Sequence, residues 1–533
     1  MPSRKLATVR TIIQCRDARR AATAHRAGYT GLAVPSLPAI FACADQLPAI
    51  VLNLKQCAMC TRNDRLMPQI VFERQAPAAT LIHTSLANSV NRPFWGDDVA
   101  ARRRAFPQFQ GCADSALAIV GGGFLGLWTA ILAKERDPAR SVVLLEAQRV
   151  GWAASGRNGG FCEASLTHGE ENGHKRWPEE MAELEAQGLR NLDEIEATIQ
   201  RYGIDCDFER TGVLVVAVEP YQDEQLRGEG YMSAAEIRAE LNSPTFLSGI
   251  WEKDSTAMIH PGKLALELAR VASELGVQIY EQSAVLKLQS SGRQVILHTA
   301  QGQLTATRVV LATNAFPSLL KRYRWHTIPV YDYVLMTEPL TPEQLASIGW
   351  QHRQGIADMA NQFHYYRITR DNRILFGGYD AVYNFGGKVS DQHDDRPESF
   401  ERLASHFFTT FPQLAGLRFS HRWGGAIDTC TRFCAFFALA RGGKVAYAAG
   451  FTGLGVGATR FAGNVLLDKL DGLDTERTRL RMVREIPPPF PPEPLAYVAV
   501  QATRWSLNRA DHNHGKRNLM LRTMDALGLG FDS

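Results

Sequence analysis

Three glycines and an acid carry the first chemical signal in this chain. Gly121, Gly123 and Gly126 stand in G-x-G-x-x-G spacing behind a short apolar run, Leu117–Val120, and ahead of a helix-compatible run to Ala133. The first glycine permits a tight turn, the second lets backbone approach a pyrophosphate, and the third lets helix and strand pack closely. Phe124 and Leu125 lie inside that spacing, at a helix N-terminus whose N–H groups and partial positive charge suit phosphate. Ser141–Glu146 reads as the next strand. Its terminal Glu146 falls about twenty residues after Gly126, where a dinucleotide site places a carboxylate on a ribose hydroxyl; Ala147 follows.

Two further loops carry the same kind of chemistry. Gly151–Gly160 crowds the donors Ser155, Arg157 and Asn158 among Gly156, Gly159 and Gly160, a loop able to wrap an anionic or heteroaromatic cofactor. Far downstream, the apolar strand Lys444–Gly450 runs into Phe451-Thr452-Gly453-Leu454-Gly455 and a helix over 458–470, again able to point N–H groups at a ligand. Between them, the strand Val309–Ala312 ends at Thr313, at the C-terminal tip where ligands bind in open α/β sheets. Other candidates are weaker. Cys57-Ala-Met-Cys60 has no second pair at metal-ligand spacing, so no metal site is assigned. His260 precedes a Pro-Gly turn and reads as structural.

The elements that position these loops belong to a globular protein with ample core: 533 residues, 45% hydrophobic and 21% charged. Such a length implies two or more domains. The net charge of +4 is uneven, with the first 66 residues basic and the remaining body mildly acidic, which excludes a nucleic-acid partner. Nine scattered cysteines point to free thiols in a reducing, cytoplasmic compartment. The uncharged stretch 115–133 is about long enough to span a bilayer. However, three consecutive glycines would weaken such a helix by roughly 1 kcal/mol each against Ala, and the acid-ended strand beyond fits a soluble unit, so no transmembrane segment is assigned. Residues 1–88 read as an extension outside the fold, disordered or not native, with Met67 as an alternative start; Met1–Arg26 superficially resembles a transit peptide.

Elsewhere, the pattern predicts a long amphipathic helix over 179–202, a strand pair over 207–218 around Thr211-Gly212, and a helix over 263–275. From 328 to 426 it turns β-rich and aromatic. Most of these rings should be core, with Tyr366, Tyr379 and Trp423 as candidates to line an apolar substrate pocket. A proline-rich linker then leads to a basic amphipathic helix over 495–509.

Taken together, Val120–Trp128, Leu145-Glu-Ala147, Ser155–Gly160, His260–Leu264, Arg373–Gly378 and Gly450–Gly455 resemble the FAD-dependent oxidoreductases of the D-amino acid oxidase family, over roughly residues 90–470. The likeness is greatest to the gamma-glutamylputrescine oxidoreductase-like branch, to which the ending Leu527–Ser533 also looks native. The resemblance implies a mixed α/β fold, a Rossmann-like FAD-binding domain (114–205, 263–325, 429–472) interleaved with an antiparallel-sheet substrate domain (206–262, 326–428), then a tail over 473–533. It also implies FAD, with pyrophosphate at Gly121–Gly126, Glu146 on the ribose, Ser155–Gly160 along the pyrophosphate and flavin, the Val285 backbone near adenine, and Thr452–Gly455 at the flavin's pyrimidine edge. The flavin would take hydride from a C–H beside an amine nitrogen, leaving an imine for water to hydrolyse. No catalytic acid–base residue is then needed. The family's amino-acid oxidases usually carry a carboxylate-clamping Arg just after a Trp-x-Gly strand; Arg422-Trp-Gly-Gly-Ala-Ile-Asp428 has none there. This favours an amine or N-substituted amine, with Arg367 or Arg432 as alternative clamps. The expected electron acceptor is O2. Alternatives are a D-amino acid dehydrogenase using another carrier, a non-catalytic flavin-binding module, and an NAD-only dehydrogenase, which the second glycine loop disfavours.

Overall fold

Alternation along one strand decides the layering. In a pleated strand, successive side chains take opposite faces. Leu117 and Ile119 of the strand Gly111–Val120 enter one core, and Ala118 and Val120 enter another. The computed structural model describes residues 68–526 and 528. The strand sits at the centre of an eight-stranded sheet whose parallel part runs Val445–Ala449, Gly302–Leu311, Gly111–Val120, Val142–Leu145, Gln278–Tyr280. Strand Gly302–Leu311 divides its edge. Its first half pairs antiparallel with Gln294–His298, and Val309–Leu311 pairs with Val445–Tyr447. Helices Phe124–Arg136, Met181–Tyr202, Pro261–Glu274 and Gly455–Asp471 share the core on one face. The opposite face packs on the hairpin Lys287–His298.

The second sheet has ten strands and is largely antiparallel, with Phe419–Thr429 and Ile328–Thr337 as its longest pair. Helix Pro397–Thr410 covers one face, its Phe400, Leu403 and Phe407 meeting Phe376, Phe411 and Phe419. The chain passes between the two sheets repeatedly: strands at 111–145, 278–311 and 436–449 belong to the first, and those at 90–91, 213–252 and 328–429 to the second.

Two expectations are corrected. Residues 68–88, expected to lie outside the fold, are built into it, because Ile70, Val71, Phe72 and Leu86 are buried in the second sheet's core. Arg74 also holds Glu219 through two 3.1 Å hydrogen bonds. The extension over 1–67, with the Cys57–Cys60 pair, Met67 and the transit-like stretch, lies outside the described residues, as does Leu527–Ser533 apart from Gly528. The strand pair over 207–218 is a single strand, Val213–Ala217; before it only Glu209 bridges Met258. The tail helix expected over 495–509 is present. Helix Leu495–Asp511 packs back, and Asp511 accepts the backbone N–H groups of Asn361 (2.9 Å) and Gln362 (3.1 Å). Among the described residues, no helix is long and apolar enough to cross a membrane.

Candidate active site

A cavity of about 980 Å³ lies between the two sheets, at the C-terminal ends of the parallel strands. That is the upper end of the usual range for small-molecule sites, roughly 300–1,000 Å³. Its floor is the first glycine loop, with Gly121, Gly123, Phe124 and Leu125 on the wall. Gly121 has φ +114°, and a Cβ there would stand 2.4 Å from the Ala312 carbonyl oxygen. Gly126 is off the wall and does the packing job: its Cβ would meet the Gly121 carbonyl oxygen at 1.9 Å. Glu146 and Ala147 also line the cavity. Glu146 accepts the N–H groups of Gly122 (2.6 Å) and Gln148 (2.8 Å), yet burial raises its carboxyl above the ordinary carboxylate range.

The second loop is fastened to the first. Ser155 Oγ accepts the Phe124 N–H at 2.9 Å, so loop and helix N-terminus form one cradle. Gly159 joins Ser155, Arg157 and Asn158 on the wall; Gly156 stays behind it, where a Cβ would meet the Gly151 oxygen at 2.1 Å. Asn158 spends its side chain on the loop, accepting from Gly160 N–H (2.9 Å) and donating to the Ala154 carbonyl (3.0 Å). Arg157 is paired with Asp394 and donates to the Gly424 carbonyl at 3.0 Å, which ties this loop to the second sheet. Two indoles brace it from behind: Trp95 donates to the Asn158 carbonyl and Trp423 to the Arg157 carbonyl, each at 2.8 Å. Trp423, expected on the wall, therefore acts from one layer out.

The third loop closes one end of the cavity with Thr452, Gly453, Leu454 and Gly455. Helix Gly455–Asp471 starts in the loop itself, and its N-cap Leu454 has no side chain able to satisfy the first N–H groups. Gly450 lies behind, donating to Asp428 Oδ2 at 2.6 Å. Burial drives the Asp428 carboxyl up to about 7, against the pull of that N–H. Val285 and Thr313 also line the cavity, and the Thr313 hydroxyl is buried without a hydrogen-bond partner. Buried hydroxyls rarely stay unpaired. The orphaned hydroxyl, the side-chain-free cradle and two helix N-termini fit a bound FAD.

The roof belongs to the second sheet and holds what the spacing of residues could not reveal. Along Ile328–Thr337, Tyr331, Tyr333 and Leu335 enter the helix-covered core, while Val330, Asp332 and Val334 face the cavity. Asp332 accepts the Tyr365 hydroxyl at 2.5 Å and the Tyr333 N–H at 2.8 Å. Burial raises its carboxyl to about 6. Tyr365 is on the wall. Its neighbour Tyr366, the expected residue, points the other way and stacks on Phe376 at 5.0 Å. Tyr379 does reach the cavity.

Neither alternative clamp faces the site. Arg367 donates to the Ile259 (2.5 Å) and Gly160 (3.3 Å) carbonyls, and Arg432 to those of Cys434 (3.2 Å), Glu485 (3.1 Å) and Ala435. His260 caps helix Pro261–Glu274 by accepting the Lys263 N–H at 3.1 Å and reaches Asp98 on its other side. The far wall is supplied by the tail, through Pro489, Ala499, Val500, Thr503, Arg504, Leu507 and Met524.

Comparison with known proteins bears on this geometry. Gamma-glutamylputrescine oxidoreductase of Escherichia coli (strain K12) is 34% identical over 382 residues, which cover 68% of this chain and 84% of that protein. A probable oxidoreductase OrdL of Haemophilus influenzae is 28% identical over 402 residues, covering 70% and 86%. Among solved structures, glycine oxidase from Geobacillus kaustophilus superposes with a TM-score of 0.56 at 19% identity, over 68% of this chain and 96% of that one, a likeness of fold. The DAO family, described as FAD dependent oxidoreductase, matches residues 116–469. With its glycine cradle, paired helix N-termini and interleaved sheets, this chain belongs to that family of FAD-dependent oxidoreductases.

Proposed function

We propose that this protein oxidises the C–N bond of a small-molecule amine or N-substituted amine, with the nucleotide loops of 114–205, 263–325 and 429–472 holding FAD and the sheet of 206–262 and 326–428 holding the substrate. The observation that carries the reading is Asp332, a buried carboxylate on the cavity roof, poised by Tyr365. FAD supplies a hydride acceptor for the C–H beside the amine nitrogen. Hydride can leave only as the nitrogen lone pair forms the C=N bond, and an ammonium ion has no free lone pair. Asp332 first attracts the cation into an apolar cavity, where one charge pair is worth far more than in water. A carboxyl brought up to about 6 is then a better proton acceptor for that ammonium than an ordinary aspartate. Water hydrolyses the released imine. In the loop Thr452–Gly455 the N–H groups of Thr452 and Leu454 already donate to the Asp428 and Phe451 carbonyls, so those of Gly453 and Gly455, at the start of helix Gly455–Asp471, are the ones offered to the edge of FAD where negative charge collects.

The similarity to gamma-glutamylputrescine oxidoreductase supports an amine substrate. We assign O2 as acceptor and a reducing, cytoplasmic setting. Purified protein should be yellow, and anaerobic addition of candidate amines should bleach it, with peroxide released when air is readmitted. Colourless protein without affinity for FAD overturns the cofactor assignment. Bound flavin that no amine or amino acid reduces overturns the reaction, and reoxidation by an electron carrier without peroxide replaces O2 as acceptor.

A further inference from the structure

Two arginines stand on the cavity wall, and they differ in what they are doing. Arg157 is committed to Asp394 and the Gly424 carbonyl. Arg504, on the tail helix Leu495–Asp511, has one neutral hydrogen bond, from Nη1 to Gln501 Oε1 at 3.0 Å, while its Nε is buried with no partner. The nearest carboxylate, Asp380, is 3.8 Å from Arg504 Nη2, too far for a hydrogen bond, and is already held by Arg396 (2.8 Å), Arg402 (2.6 Å) and the Ser399 hydroxyl (2.6 Å). Arg396 also has Glu398 at 3.8 Å. Arg402 also interacts with Glu73, and among these three guanidiniums Arg504 has the weakest share of the carboxylates. Burial pushes its pKa down, Asp380 opposes that, and the neighbouring Arg396 and Arg402 add to the downward push. Ala499, Val500, Leu507 and Met524 line the same cavity, as do Thr503 and Asp380.

Resting on the amine-oxidation reading, we propose that Arg504 recognises a carboxylate at the far end of the amine substrate, so that the enzyme selects amines carrying a distal anion. Asp332 and Arg504 make the cavity bipolar, a negative group on the sheet for the ammonium and a positive fork on the tail for the carboxylate. A guanidinium on the cavity wall presents several N–H donors in one plane, and so can meet a carboxylate in a way that a lysine cannot. Arg504 lies beyond residue 469, where the family match ends. The site therefore reads its anion from a part of the chain that the family pattern does not contain. It does so without the strand arginine missing near Arg422–Asp428.

The test uses the full-length, FAD-loaded protein and glutarate as probe, titrated by calorimetry, which needs no turnover. The parent should bind glutarate, R504M should weaken it by about thirtyfold or more, and R504K should recover only part, as a point charge replacing a fork. R509M, an exposed position on the same helix, should bind like the parent. Where R504M does not fold, T503E, which sets a competing carboxylate one residue away on the same wall, should weaken glutarate similarly. In turnover, the ratio of kcat/KM for 5-aminopentanoate over 1-aminopentane should exceed ten for the parent and collapse toward one in R504M. A parent that ignores glutarate, or an R504M that binds it as tightly, overturns the proposal. Failure of both amines to reduce the flavin overturns the amine-oxidation reading instead, while glutarate binding still decides the role of Arg504.

Discussion

In the proposed function, the two sheets of this molecule do their chemistry in opposite ways. Around the first, function is carried by backbone: N–H groups at two helix starts, and glycines whose contribution is the absence of a side chain. Around the second it is carried by side chains, and whether one takes part depends on which face of a strand it occupies. A backbone site tolerates many neighbours but no Cβ in the wrong place. A side-chain site tolerates a changed neighbour and fails when one functional group is lost.

The sharpest way to break the contrast is to add one carbon to the first loop. Gly121→Ala would force a Cβ at φ +114° to within 2.4 Å of the Ala312 oxygen, and Gly126→Ala would set one 1.9 Å from the Gly121 oxygen. Each should lower FAD affinity by at least about a thousandfold, because the backbone must move away from the pyrophosphate; flavin absorbance after dialysis measures it. Next is Asp332→Asn, nearly isosteric, which should keep FAD and lower kcat/KM for amines by about a hundredfold, in the range of roughly 2–5 kcal/mol for removing one partner of a buried charge pair. The pH profile should change with it. Folding raises this carboxyl from the ordinary aspartate range to about 6, so the ionised form needed by a cation is lost as pH falls through 6. The parent should show a kcat/KM limb falling tenfold per unit below about 6, and D332N should lack it. The smallest effect sharpens the comparison most. Tyr365→Phe should cost about tenfold in kcat/KM and move the acid limb upward, because Asp332 loses a hydrogen bond that favours its ionised form. Tyr366→Phe, one residue along, should leave kinetics within twofold and change stability by less than about 1.5 kcal/mol. Equal effects at both positions would erase the proposed difference between the faces.

The same contrast explains what could be read from residue order. Gly121, Gly123, Gly126 and Glu146 are legible because a phosphate cradle demands residue types at fixed spacing within a local strand–turn–helix. The loops at Ser155 and Gly450 are legible for that reason too. Asp332, Tyr365 and Arg504 have no such signature. Asp332 is one polar residue in a strand of large apolar ones, and its meaning appears only once Ile328–Thr337 is paired and its pleat set against helix Pro397–Thr410. Tyr365 and Tyr366 are alike in local sequence and one residue apart, and a period of two puts them on opposite faces. Trp423 was recognisable as large and buried, but not as a brace for the Arg157 carbonyl. Tyr331, Tyr333 and Trp423 resemble pocket rings in every local respect. Residues 68–88 looked expendable because their few apolar side chains find their core more than a hundred residues away.

The repeated passage of the chain between the sheets bears on how such a protein can acquire a new substrate. Each half is assembled from three separated stretches, so neither can be exchanged as a block without cutting the other in several places. The tail from 488 onward is different: one uninterrupted stretch that supplies the far wall of the cavity with proline, apolar and arginine side chains. Recombination can replace it in a single event and leave both sheets, and the flavin cradle, untouched. Specificity built there is modular, while specificity built on the sheet must be altered one residue at a time.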